Sequence, residues 1–215
     1  MSELLPIFPL PTTVLFPNIF LPLHIFEPRY RAMVADAIDS DRLIGMVLLK
    51  PGWERDYEGQ PAVYPIGCSG VLTHAEPLDD GRYNIVLRGL ERFRIVEEGR
   101  DRPYRRAYTE PLPERCLTAE DRAILRTGRA KLEALIAPGI EKTSRLGEAR
   151  PGLGTAAMND EDLVNALAQY LDIEPLEKQA LLERNCLRTR AESLLELLEM
   201  KILMARTPGL SNVAH

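Results

Sequence analysis

Residues 5–30 read LPIFPLPTTVLFPNIFLPLHIFEPRY. This opening stretch holds six of the chain's 17 prolines and four of its five phenylalanines. Proline fixes the φ angle and has no donor N–H, so the stretch cannot form a helix and must be extended, edge-like or broken into short strands. Because burying a large apolar side chain contributes about 1.5–3 kcal/mol, we expect the stretch to thread along a hydrophobic core.

The residues that follow predict a helix and then a mostly β region. Pro28 suits the first position of a helix, which the spacing of apolar residues extends to about Asp39. The continuous apolar run at 43–49 is typical of a strand buried on both faces. Further strands are predicted at 62–65, 67–75, 83–88, 91–97 and 104–110, with a hairpin turn at 79–81 and a break at Gly89.

Beyond residue 113 the apolar spacing becomes helical. A helix is expected from Thr118 to about Ile136, where Pro138 and Gly139 would end it, and others follow Asn159, Pro175 and Thr189. The predicted parts are a β-barrel subdomain with one helix at 1–113, a helical-bundle subdomain at 114–206 with a flexible loop at about 138–159, and a C-terminal tail at 207–215. The predicted fold class is α+β.

Composition and charge argue against a nucleic-acid-binding, membrane-spanning or secreted protein. The chain of 215 residues is 45% hydrophobic and 27% charged, which is ordinary for a globular protein, and its net charge of −5 argues against nucleic acid or an anionic membrane as the main partner. The three cysteines are widely separated and form no CxxC pair, as expected in a reducing compartment. The N-terminus lacks the basic region of a signal peptide, and no run of about 20 apolar residues could span a membrane. We therefore expect a cytoplasmic protein.

The sequence contains no recognisable catalytic or metal-binding motif. The three histidines, His24, His74 and His215, match no metal-ligand spacing, and neither the phosphate-binding loop nor the dinucleotide-binding glycine pattern occurs. Cys68 and Ser69 precede His74 but do not match the nucleophile elbow, so small strand residues are the better interpretation. We expect a protein that is not an enzyme and has no cofactor and no metal.

Arginines are the one distinctive charge feature. Residues 82–106 hold eight arginines and four acidic residues, and Arg92 and Arg94 would share one strand face. A basic stripe of this kind supports an alternative function in RNA binding, although interspersed carboxylates are more typical of a solvated or domain-facing surface.

The opening stretch resembles the signature of the N-terminal substrate-binding domain of Lon proteases. GCSG at 67–70, DGRYNI at 80–85 and GLERFRI at 89–95 resemble that family's second motif block, and Gln179, Leu182 and Arg190 resemble its helical half. The resemblance covers residues 4–205 in the family's order and spacing. Asn18 stands where the family usually has glycine, and asparagine also tolerates left-handed backbone.

The resemblance implies a PUA-like β-barrel followed by a helical bundle that holds protein or peptide substrates. A Lon protease continues into ATPase and peptidase modules, whereas this sequence has no Walker motif before its last residue, His215. We therefore expect a stand-alone family member that lacks both modules, works as a monomer or weak homo-oligomer, and binds unfolded or exposed segments of other proteins.

Five residues are the predicted peptide-binding or protein-binding site. Glu27, Arg29 and Tyr30 stand at the predicted helix start, and Trp53 and Tyr57 lie on the polar loop at 53–60. Trp53 is the strongest candidate, because an aromatic side chain on a polar loop is costly to expose without a partner. The alternative is structural: Glu27 would complement the helix dipole and Arg29 would pair with it, while Phe8, Phe16, Phe20 and Phe26 would all be core.

Overall fold

A computed structural model describes residues 4–57, 59–99, 101–144 and 158–206. Within these residues the opening stretch forms two strands, β1 (Leu5–Leu10) and β2 (Phe20–Ile25), and then α1 (Pro28–Ile38). The predicted extended character of the stretch and the predicted helix start at Pro28 are both confirmed. Pro22 lies in β2, which has a strand neighbour on one side only, and an edge strand is where a missing N–H is tolerated.

The remaining strands close the sheet into a barrel. They are β3 (Leu43–Leu48), β4 (Ile66–Pro77), β5 (Tyr83–Gly99) and β6 (Arg106–Pro111). The strand order is β2-β5-β4-β3-β1-β6, and β5 also pairs with β6, so five strands of the described residues form a ring. β2 pairs with the first part of β5 and is not a member of this ring. The predicted α+β fold with a β-barrel is confirmed. Ile7, Val47, Phe93 and Ala107 pack together as one of the barrel's core clusters.

The length of β5 corrects one expectation, because residues 83–99 form one strand rather than two strands broken at Gly89. The N–H of Gly89 donates to the carbonyl of Ile19, and its carbonyl accepts from Asn18, both at 2.9 Å. A side-chain carbon at Gly89 would collide with the carbonyl of Phe16. Glycine is therefore needed for close approach of the opening stretch. Asn18 has a φ of 65°, the left-handed conformation that asparagine tolerates.

Two compact units divide the chain. One contains the residues up to Pro113 together with Asn165–Glu183, and the other contains Glu114–Val164 with the residues from Arg184 onwards. Residues 165–183 thus group with the strands, whereas the sequence placed them in the helical part. The division into subdomains at 113 and 206 stays a prediction.

The first unit includes helical residues as well as the barrel. They belong to the second half of α3 (Asp160–Tyr170) and to α4 (Pro175–Leu182). The side chain of Asn165 donates to the carbonyl of Pro17 at 3.1 Å, and that of Gln179 donates to the carbonyl of Ile66 at 2.9 Å. These buried amides bind main-chain oxygens far away in sequence, so they fix the helices to the opening stretch and to β4.

The second unit contains two long helices, α2 (Ala119–Ser144) and α5 (Leu187–Arg206). Thr118 and Asp121 exchange hydrogen bonds at the start of α2, as the sequence predicted. The expected end of α2 near Ile136 is wrong, since the helix continues through Pro138; a proline removes one main-chain hydrogen bond but leaves its neighbours in place. Of the predicted loop, residues 145–157 lie outside the described residues, as does the predicted tail at 207–215.

Candidate functional site

The fold brings the five predicted site residues together. Arg29 donates to Glu27 at 3.0 Å, and the Tyr57 hydroxyl donates to the other oxygen of that carboxylate at 2.5 Å. The Arg29 guanidinium carbon lies 4.6 Å from the ring centre of Tyr30 and 5.0 Å from that of Tyr57. Trp53 meets Tyr57 edge-on with ring centres 5.4 Å apart. We call these five residues the Arg29 cluster.

The contacts of the Arg29 cluster are mainly internal. Tyr30 is buried and packs on Phe8 with ring centres 4.4 Å apart, and burial raises the pKa of its hydroxyl. Burial and the hydrogen bond to Glu27 raise the pKa of Tyr57 as well. Both hydroxyls therefore stay neutral at physiological pH. The cluster ties the short 3₁₀ helix at Trp53–Asp56 and the following Tyr57 to the start of α1. Its role in binding stays a prediction.

Exposed aromatic side chains lie on and directly after β2, outside the predicted binding site. Phe8 and Phe16 are buried, but Phe20 is 50% exposed and Phe26 is 61% exposed. Side chains alternate along a strand, so Phe20, Pro22 and His24 point to one side, and Phe26 follows with its ring centre 6.4 Å from that of His24. We call these four residues the β2 face. This surface could have been predicted from the sequence. Aromatic and proline residues recur there at every second position, and proline confines such a strand to the edge of a sheet.

A helix of the same unit supports the β2 face from one end. The hydroxyl of Tyr170, at the end of α3, donates to the main-chain carbonyl of Phe20 at 2.9 Å. Burial raises the pKa of this hydroxyl. Tyr170 is itself 40% exposed, so its ring extends the aromatic surface beyond β2.

The expected basic stripe on β5 is wrong for Arg92. Arg92 is only 3% exposed, and its guanidinium donates to the carbonyl of Leu182 in α4 at 3.1 Å. Arg94 is exposed. The two arginines share a strand face, but α4 covers one of them, so they do not form a continuous basic surface.

The described residues contain neither a cluster of metal-binding side chains nor a membrane-spanning helix. No group of three or more histidine, cysteine, aspartate or glutamate side chains is placed to hold a metal ion in residues 4–57, 59–99, 101–144 and 158–206. Among the helices of that same part of the chain, none is both long enough and apolar enough to cross a membrane.

Comparison with known proteins identifies the relatives of this chain. A family model described as the ATP-dependent protease La (LON) substrate-binding domain matches residues 4–200. Lon protease 2 of Myxococcus xanthus is 30% identical over 199 residues, which are 93% of this chain and 24% of that protein. Lon protease of Anaeromyxobacter dehalogenans is 29% identical over 197 residues, or 92% of this chain and 23% of that protein. The chain thus spans about a quarter of the length of these relatives.

Solved structures show the same fold. The N-terminal domain of a Mycobacterium avium complex Lon protease superposes with a TM-score of 0.69 at 16% identity, covering 92% of this chain and 98% of that one. A Lon N-terminal domain protein from Xanthomonas campestris gives a TM-score of 0.59 at 24% identity, covering 90% of this chain and 98% of that one.

Proposed function

The chain belongs to the LON substrate-binding domain family, and on that premise we propose that it is a non-enzymatic module that binds exposed apolar segments of other polypeptides. In this proposal the segment lies along the β2 face. The observation that carries the proposal is the exposure of Phe20 on β2 and of Phe26 directly after this strand, 50% and 61%. Large apolar side chains grouped on a surface are typical of interaction sites.

The spacing of the β2 face fits an extended polypeptide. Its side chains follow one another at every second residue, and an extended segment presents its own side chains with the same period. Such a segment would place alternate apolar residues against Phe20 and Phe26. The partner is therefore an unfolded or exposed segment with apolar or aromatic residues at alternate positions.

The Arg29 cluster has a supporting part in this proposal. Glu27 follows Phe26 directly, and its carboxylate is held by Arg29 and Tyr57. These bonds fix the main chain at the point where the β2 face ends and α1 begins. A fixed main chain lowers the entropy lost when the segment binds.

The proposal is tested with a labelled peptide in which phenylalanine and serine alternate, measured by fluorescence anisotropy at pH 8. We expect saturable binding that weakens at least tenfold in the double variant Phe20→Ser with Phe26→Ser, because truncating central aromatic contacts usually costs more than about 1 kcal/mol each.

A matched control is available on the same barrel. Val96 and Tyr108 are 59% and 41% exposed on β5 and β6, outside the β2 face. Val96→Ser with Tyr108→Ser removes similar apolar surface and is expected to leave the affinity within about twofold of wild type. Equal weakening by both pairs, or no binding by the wild-type chain, would refute the proposed site.

A further inference from the structure

A chain of hydrogen bonds crosses the end of the β2 face and includes both ring nitrogens of His24. His24 Nδ1 lies 2.8 Å from Asn84 Oδ1, and His24 Nε2 lies 3.2 Å from Arg82 Nη1. Asn84 Nδ2 donates to Glu76 at 3.2 Å, and Arg82 Nε donates to Asp80 at 2.6 Å. These residues come from β2, β4, β5 and the turn between β4 and β5.

Glu76 and Arg82, at the two ends of this series of hydrogen bonds, determine which nitrogen of the His24 ring carries the proton. A carboxylate only accepts, so Glu76 fixes the amide of Asn84 with its oxygen towards His24, and Nδ1 must donate. A guanidinium only donates, so Nε2 must accept from Arg82. His24 is therefore neutral with its proton on Nδ1, and both ring nitrogens already have partners.

We infer that His24 is a specificity-determining residue of the β2 face, which selects uncharged apolar segments while its ring is neutral and loses them when the ring is protonated. This inference rests on the proposed function. With both nitrogens occupied, the neutral ring offers the bound segment only its aromatic surface, in line with Phe20 and Phe26.

Protonation of the His24 ring would change both its hydrogen bonding and its charge. A proton on Nε2 turns the acceptor into a donor, so Arg82 can no longer donate to the ring and the two cationic groups repel each other. A positive charge then stands between Pro22 and Phe26, where an apolar segment would have to desolvate it. Histidine is the side chain whose charge ordinarily changes between pH 5 and 8, so this role is tested across that range.

The Asp80 carboxylate beside Arg82 stays charged between pH 5 and 8. The charged groups of this network are Glu76 on β4 and Arg82 and Asp80 at the turn into β5. Arg31 of α1 adds a further positive charge close to Asp80. The hydrogen bonds from Arg82 lower the pKa of Asp80 to about 2, so this carboxylate stays ionised and holds Arg82 throughout.

Two measurements test the inference. Nitrogen-15 NMR of the histidine rings at pH 8 should show His24 neutral with the proton on Nδ1; a proton on Nε2 would overturn it. In the anisotropy assay with the alternating phenylalanine–serine peptide, the affinity of the wild-type chain should fall about tenfold from pH 8 to pH 5.

His74 gives the matched control, since it is exposed on β4, which is separated from β2 by β5. The variant His24→Gln should bind with an affinity that is flat between pH 5 and 8, while His74→Gln should keep the wild-type pH dependence. A flat wild-type profile, or pH dependence that survives in His24→Gln, contradicts the inference and leaves the proposed function standing. Absence of peptide binding at pH 8 contradicts the proposed function, and the NMR measurement still decides the state of the ring.

Discussion

Gly89 is a position in the barrel where a side chain would collide with the main chain. Its N–H and carbonyl bind Ile19 and Asn18, and this pairing draws the segment before β2 against β5. The nearest obstacle to a side-chain carbon at Gly89 is main chain, the carbonyl of Phe16, which cannot rotate away. One residue without a side chain thus lets the opening stretch lie close to β5.

Replacing Gly89 with alanine should therefore lower the free energy of unfolding by about 2–3 kcal/mol, since the main chain must shift to relieve the collision. Urea denaturation followed by circular dichroism measures this difference.

Gly128 in α2 provides the opposite case, because nothing lies within 4 Å of a side-chain carbon placed there. Gly128→Ala should raise the free energy of unfolding by about 0.5–1 kcal/mol through helix propensity. Equal effects of the two substitutions would show that close approach at Gly89 is not the cause.

Helix α5 begins around a buried charge. Arg190 is 0% exposed and donates to Glu114 at 2.9 Å and to the carbonyl of Arg184 at 3.2 Å, all within the second unit. A buried guanidinium is stable only where acceptors surround it, so these bonds fix the start of α5 against the segment before α2. The helix start is at Leu187, two residues before the predicted cap at Thr189, whose hydroxyl donates back to Cys186 instead.

Removing this charge should destabilise the helical unit. Arg190→Met leaves Glu114 without its buried partner, and we expect the free energy of unfolding to fall by about 3–5 kcal/mol. Arg122→Met, an exposed position on α2, should change it by less than about 0.5 kcal/mol. Differential scanning calorimetry compares the two, and similar melting temperatures for both variants would contradict a stabilising role for Arg190.

For the whole molecule, membership of the family supports a role in binding polypeptides. That the chain is not an enzyme is part of our proposal. The curated relatives are proteases of which this chain matches about a quarter. The chain should bind unfolded casein without cleaving it, with or without ATP and Mg²⁺. Gel electrophoresis after prolonged incubation checks this, with a full-length Lon protease as positive control. Cleavage by the purified chain that persists through a further purification step would contradict the non-enzymatic proposal.

Local features of the sequence were enough for much of the fold. A proline fixes φ and removes a donor wherever it stands, so the extended opening stretch and the helix start at Pro28 follow from residues 5–30 alone. Capping at Thr118 and the turn at 79–81 also depend on neighbouring residues only. The α+β class and the order of most elements were therefore predictable.

Burial, in contrast, was decided by tertiary packing. Four phenylalanines with similar surroundings in sequence divide into two buried and two exposed. Phe8 lies in β1, a member of the closed ring, and the main-chain N–H of Phe16 donates to the buried Gln169 of α3. Phe20 lies in β2, which is not part of the ring, and Phe26 follows that strand. Arg92 is covered by a helix 90 residues away, and the state of the His24 ring is determined by partners about 60 residues away. Most strands and helices follow from local features of the sequence, apart from the unbroken β5 and the end of α2. Which side chains remain on the surface could not be predicted in this way, because burial depends on which distant element packs against them.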